Sequence, residues 1–114
     1  MQKNQINRQE YVRRLLDAYR TTPGTTGHVR REDRRLAGQL YEQSVPLTAV
    51  ENALVLATAR RFLRPEDMPP LDPVRSLHYF RAVIDEVMKS TMSDEYFNYL
   101  RRKIAELGNR KLKQ

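Results

Sequence analysis

Thr48-Ala49-Val50-Glu51-Asn52-Ala53-Leu54-Val55-Leu56-Ala57-Thr58-Ala59-Arg60-Arg61-Phe62 is the stretch that decides the fold. Val50, Ala53, Leu54 and Ala57 recur at the three- and four-residue spacing of one helix face. Val55, Leu56, Ala59 and Phe62 extend the apolar surface around it. A helix apolar on most sides is a central helix, packed by several neighbours, and its alanines allow close approach. Thr48 and Glu51 have capping-box spacing and predict the helix start. The helix is expected to end near Leu63.

The flanks repeat the pattern. Upstream, Val12, Leu15, Leu16 and Tyr19 form the stripe of a helix over about 7–20, with Tyr11 on its edge, Asn7 as N-cap and Glu10 completing a capping box. Pro23, two glycines and four threonines between Thr21 and Gly27 end it in a loop. Leu36, Ala37, Leu40 and Tyr41 line a helix over about 31–43, with Glu32 and Asp33 in the first turn, where the macrodipole favours acids. Ser44-Val45-Pro46 breaks that helix. Downstream, residues 64–73 hold four prolines and read as an extended connector. A fourth helix, starting at Asp72-Pro73 or Ser76, is expected to reach Lys89 through Leu77, Phe80, Val83, Ile84, Val87 and Met88. A fifth begins at Ser93, carries Phe97, Leu100, Ile104 and Leu107, and is expected to stop at Gly108. The expected architecture is all-α: a compact bundle of about five helices, with the third and fourth at its centre. Residues 1–108 are expected to form a single helical domain and 109–114 a basic C-terminal tail. No solenoid-period repeat appears.

The chain has 114 residues and no cysteine, so it has neither disulfides nor a thiolate metal site. With no apolar leader behind Met1 and no run approaching a membrane span, a cytoplasmic protein without membrane contact is expected. Catalytic patterns are missing, and no enzyme is expected. His28 and His78 are fifty residues apart and outside any metal-ligating spacing. No phosphate-cradling GxxxxGKS/T loop or GxGxxG is present. Glu32/Asp33, Glu66/Asp67, Asp85/Glu86 and Asp94/Glu95 are adjacent pairs, which a helix splays about 100° apart rather than converging. No metal or cofactor is expected.

Charge is the informative feature. The net charge is +7 and the pI ≈ 10.1. Residues 1–35 hold nine Lys/Arg against four Asp/Glu, residues 36–100 six against nine, and residues 101–114 six against one. The balances of +5, −3 and +5 put the basic excess at the two ends of the chain. Arg dominates over Lys, and its planar fork suits phosphate. Three clusters are candidate nucleic-acid contacts. Arg30, Arg31, Arg34 and Arg35 lie on one side of the second helix's first turns, where like charges repel unless Glu32 and Asp33, or phosphates, answer them. Arg60, Arg61 and Arg64 end the third helix, where cations also complement the dipole. Arg101, Arg102 and Lys103 lead to Arg110, Lys111 and Lys113, a basic C-terminal segment of the kind that serves as a phosphate arm. About six neutralised phosphates would give duplex binding a log–log salt slope near −5. Tyr79-Phe80 and Tyr96-Phe97 with Tyr99 could stack bases, although helical spacing assigns Phe80 and Phe97 to the core.

The turn between the second and third helices has helix-turn-helix offsets at Leu40, Ser44, Val45, Val50 and Ala53. That motif favours a small residue where Leu40 stands and Gly where Ser44 stands. Its reading helix also needs a polar exposed face, which the third helix lacks.

Val45-Pro46-Leu47, Val50, Ala53, Leu54 and Ala57, followed by Tyr79-Phe80-Arg81-Ala82-Val83-Ile84-Asp85-Glu86-Val87, resemble the C-terminal helical domain of DnaD-type primosomal replication proteins over roughly residues 33–89. Tyr79 and Val83 match that family's Tyr and Ile, and Val87 stands in place of its Trp. The arrangement is also similar to small helical proteins encoded beside replication or transposition genes in mobile elements. The resemblance implies non-catalytic DNA binding, remodelling or loader recruitment. Composition and resemblance together point to a nucleic-acid-binding accessory protein, DNA before RNA, in replication or mobile-element maintenance. The alternatives are a helical adaptor subunit of a larger nucleoprotein complex and a helix-turn-helix regulator.

Overall fold

The computed structural model describes residues 6–65 and 67–112, with side chains as far as Leu107. It is an all-α bundle: α1 Arg8–Arg20, α2 Arg31–Glu42, α3 Leu47–Phe62, a 3-10 turn Leu77–Phe80, α4 Arg81–Lys89 and α5 Asp94–Leu112. Among the described residues none of these helices is long and apolar enough to cross a membrane. The fourth helical segment starts at Ser76, whose hydroxyl accepts from the His78 N–H, and passes through the 3-10 turn into α4.

Helix α3 is the centre. It packs against α1, α4, α5 and the 3-10 turn, and nine of its sixteen residues are buried. Helix α4 lies mainly on α3, so the expectation of two central helices reduces to one. The start of α3 also differs from the sequence reading. Pro46 is the N-cap and Thr48 lies exposed inside the helix, so the Thr48–Glu51 capping box does not form. Core burial of Leu47, Val50 and Leu54 fixes the rotation, and beginning at Leu47 is the register that achieves it. At the other end of the chain, α5 runs through Gly108 to Leu112. One helix-interior glycine costs about 1 kcal/mol, too little to stop a helix with no proline after it.

Helix α1 begins as expected, with Asn7 Oδ1 accepting from the Glu10 N–H at 2.8 Å, while the Glu10 carboxylate lies 3.6 Å from Arg13. Tyr11 is fully buried rather than on the edge, because its hydroxyl donates to the Val45 carbonyl at 2.7 Å. That bond ties α1 to the turn before α3. Tyr19 is equally buried and meets Phe80 edge-on at 6.0 Å, but its hydroxyl has no partner among the described residues. The two tyrosines therefore predict opposite outcomes. Tyr11→Phe leaves a buried carbonyl unanswered and is expected to cost about 1–2 kcal/mol. Tyr19→Phe removes a hydroxyl without a partner among the described residues and is expected to be neutral or stabilising, both variants being read by urea titration.

Burial pushes the Tyr11 phenol up to about 12 from its ordinary 10.0. A raised pKa means that the native state keeps a proton the unfolded chain releases. The stabilisation is complete below pH 10 and is lost between about pH 10 and 12, on the order of 2–3 kcal/mol. Tyr11→Phe should flatten that alkaline limb.

The proline-rich connector is held to the rest of the bundle by backbone and arginine. Val74 N–H donates to the Gly24 carbonyl at 2.7 Å, and Thr26 N–H donates to the Val74 carbonyl at 2.9 Å. Gly24 takes φ +91°, a left-handed conformation that glycine adopts without strain.

Candidate nucleic-acid interface

The candidate interface is built on α2, and its fixed point is Asp33. The apolar stripe Leu36, Ala37 and Leu40 faces the core, and Asp33 lies one turn before it on the same side. The carboxylate is fully buried. Oδ2 accepts the Arg30 N–H at 2.9 Å, capping α2. Oδ1 accepts the Leu77 N–H at 2.9 Å and faces the Ser76 hydroxyl at 3.5 Å. Asp33 thus joins the start of α2 to the 3-10 turn across 44 positions of sequence. In the sequence alone Asp33 is indistinguishable from an ordinary first-turn acid.

With Asp33 turned inward, Arg31, Arg34 and Arg35 point outward, and Arg30 stands at the cap. All four are exposed. Among the described residues, none of their side chains makes a hydrogen bond or an ion pair. Glu32 is exposed and, among the described residues, unpaired as well, and Asp33 spends both oxygens on backbone N–H groups and the Ser76 hydroxyl. Four arginine side chains therefore leave the first turns of α2, Arg34 on the side of α1, with no ion pair or hydrogen bond among the described residues.

The second cluster is differently employed. Arg60 grips Glu86 through two bonds, 2.8 and 2.5 Å, which hold the Glu86 carboxyl below its ordinary range and raise Arg60. Arg61 donates to the Asp72 carbonyl at 2.9 Å and to the Tyr79 hydroxyl at 3.2 Å, and lies 5.7 Å over the Tyr79 ring. Arg64 donates to the Pro69 carbonyl at 2.9 Å. These arginines fasten the connector and α4 to the end of α3. In the third cluster Arg101 bonds Asn52 and Asn98, and Lys103 lies 3.8 Å from Glu106 and 6.0 Å from the Tyr99 ring centre. Arg102 is exposed without a partner among the described residues. The side chains of Arg110, Lys111 and Lys113 lie outside the described residues.

A surface that the sequence reading did not single out adjoins the α2 arginines. A cleft of about 720 Å³ separates α1 from the segment Gly27–Val29 and the start of α2. Arg8, Arg13 and Arg20 from α1, Arg34 from α2 and His28 from the loop line it, over an apolar floor of Val12, Leu16 and Val29. Asp17 is the acid within it, 2.9 Å from Arg20 and 3.6 Å from Arg13. The sequence signal was available: Arg8, Val12, Arg13, Leu16 and Arg20 fall on neighbouring faces of one helix, but read alone they look like an ordinary amphipathic boundary.

Gly38 shapes the end of this cleft. Arg8 lies across α2 there and approaches Glu42 at 3.8 Å, and a Cβ on Gly38 would collide with the Arg8 guanidinium. The colliding group is the end of a flexible, half-exposed side chain. Gly38→Ala is therefore expected to swing Arg8 outward and to stabilise the protein by about 0.5–1 kcal/mol through helix propensity, measured as a higher urea midpoint. A lower midpoint would mean that Arg8 packing outweighs propensity.

Phe80 and Phe97 are buried, as their spacing requires, whereas Tyr79, Tyr96 and Tyr99 are 50%, 41% and 46% exposed. His28 and His78 are exposed. Among the described residues no group of His, Asp or Glu is arranged to hold a metal ion. No family model, curated protein or solved structure matches the chain.

Proposed function

We propose that this chain is a non-enzymatic nucleic-acid-binding protein that grips phosphates with Arg30, Arg31, Arg34 and Arg35. The observation that carries this reading is the absence, among the described residues, of any internal partner for those four side chains. Exposed guanidinium groups along the first turns of a helix, where free backbone N–H groups add to the field, are matched by phosphate oxygens. The internal employment of Arg60, Arg61, Arg64 and Arg101 shifts the expected contacts toward α2 and away from the other two clusters. The replication or mobile-element setting, and DNA before RNA, follow from the resemblance over residues 33–89 and are part of the same proposal, as is a cytoplasmic location.

A protein-adaptor role has its own support. Leu71, Tyr79 and Val83 line a shallow cleft of about 360 Å³ beside Arg60, Arg61 and Arg64, and Leu71 and Tyr79 are exposed. An apolar patch rimmed by cations suits a protein partner. Helix-turn-helix reading has less: Ser44 does take the left-handed φ of 60° that the motif's turn requires, but nine of the sixteen residues of α3 are buried, and Thr48 is the one fully exposed side chain in its first two turns, with Glu51 and Asn52 partly covered.

The test is fluorescence anisotropy with labelled single- and double-stranded DNA and RNA at ~50 mM salt, where phosphate attraction is strong. Micromolar or tighter binding is expected. No binding of any form would put the adaptor reading first.

A further inference from the structure

We propose that the α1–α2 cleft is a track for single-stranded nucleic acid, with Arg8, Arg13, Arg20 and Arg34 on successive phosphates and His28 against a base. This rests on the phosphate-gripping reading and gives it a strand form. Shape is the first argument. Duplex DNA takes protruding elements into its grooves, such as a helix in a major groove ~12 Å wide. A concave cleft of about 720 Å³ suits the opposite arrangement, an unstacked strand lying within the protein. Length is the second. Arg8 and Arg20 are twelve positions apart on α1, about 18 Å along the axis at 1.5 Å per residue, a span for a few nucleotides of extended strand.

Charge is the third argument. The internal ion pairs in the cleft are loose: Arg8–Glu42 is 3.8 Å, and Arg13 lies 3.6 Å from both Glu10 and Asp17. Exposed pairs of this kind contribute about 0–1 kcal/mol, so exchanging them for phosphate costs little. Arg20–Asp17, at 2.9 Å, is the tighter one. Arg34 has no partner to give up among the described residues. An acidic helical peptide fits less well, because a helix-in-groove complex needs several apolar anchors in register. Here Val12 and Val29 are mostly covered and Leu16 is 5% exposed.

The experiment compares two double variants of the full chain. Arg8→Ala/Arg20→Ala removes cations from the cleft alone, and Arg31→Ala/Arg35→Ala removes cations outside its lining. Anisotropy is read with a short labelled oligo-dT strand, with a duplex of equal length and with polyglutamate, and circular dichroism confirms unchanged helix content. The cleft variant should lose about tenfold on oligo-dT, with a salt slope shallower by about 1.4 for two lost single-strand contacts, and less than twofold on duplex. In the wild type, oligo-dT should shift the backbone amides of Val12, His28 and Val29 in NMR spectra. Equal losses on strand and duplex, or oligo-dT affinity within twofold of wild type with those amides unmoved, would overturn the track while leaving phosphate gripping intact. Polyglutamate binding the cleft as tightly as oligo-dT would overturn it in favour of an acidic protein. No nucleic-acid binding by the wild type would overturn both readings.

Discussion

Asp33→Ala is expected to destabilise the protein by about 3–4 kcal/mol. The carboxylate is fully buried and accepts two backbone N–H groups, from Arg30 and Leu77, besides facing the Ser76 hydroxyl. Hydrogen bonds to a charged acceptor contribute about 1.5–3 kcal/mol each, and a buried donor left without a partner adds its own desolvation cost. The favourable placement of an anion at the start of α2 is lost as well. A domain of ordinary stability has only ~5–15 kcal/mol in total, so a thermal midpoint lower by roughly 10–20 °C is expected. Asp33→Asn separates shape from charge. It keeps the volume, but only one end of an amide accepts, so one N–H would face an NH₂ group. A loss of about 2 kcal/mol is expected. Tolerance of the Asn variant within ~0.5 kcal/mol would show that α2 and the 3-10 turn are joined by packing rather than by the carboxylate.

Charge reversal at Arg31 and Arg35 is expected to do the converse: to remove function while improving stability. Both side chains are exposed and unpartnered among the described residues, so nothing folded depends on them. Glutamates in the first turns of α2 would suit the helix dipole and relieve repulsion with Arg30 and Arg34, for a gain of about 0.5–1 kcal/mol. Nucleic-acid affinity should fall roughly 100-fold near 0.1 M salt, about 2.7 kcal/mol, with the salt slope shallower by about 2. Opposite signs in the two measurements exclude misfolding as the cause of lost binding. Unchanged affinity would remove these arginines from the interface.

The helices were legible because their stripes are dense and their breakers strong. Pro23 with Gly24 and Gly27, Pro46, and the four prolines of residues 64–73 leave little freedom in where elements end. The errors came where burial overrode a local signal. Thr48 offers a good cap, but Leu47 must be buried, and the helix starts two residues earlier, with Pro46 as its cap. Tyr11 falls on the edge of its stripe in projection, yet the Val45 carbonyl draws it inside. Asp33 could have been found: it lies three, four and seven positions before Leu36, Ala37 and Leu40, on the face that turns inward. Its partners, Leu77 and Ser76, are too distant for any local pattern to reveal. Of the candidate site, the sequence shows the clustering of charge but not which charges are already paired. Clustering points to Arg30, Arg31, Arg34 and Arg35, which have no partner among the described residues. The same rule chose Arg60, Arg61 and Arg64, whose partners are carbonyls of the connector and Glu86. Carbonyl acceptors do not appear in a count of charges.

Contact between the arginines of α2 and phosphates is read most directly from the dependence of nucleic-acid affinity on salt for the unmodified chain. Four phosphate contacts give a log–log slope of about −2.8 for a single strand and about −3.6 for duplex DNA. Cleft or C-terminal contacts would steepen this toward −5. A slope between about −3 and −5 is the predicted result. Binding with a slope shallower than about −1, or no binding at ~50 mM salt, would contradict the account.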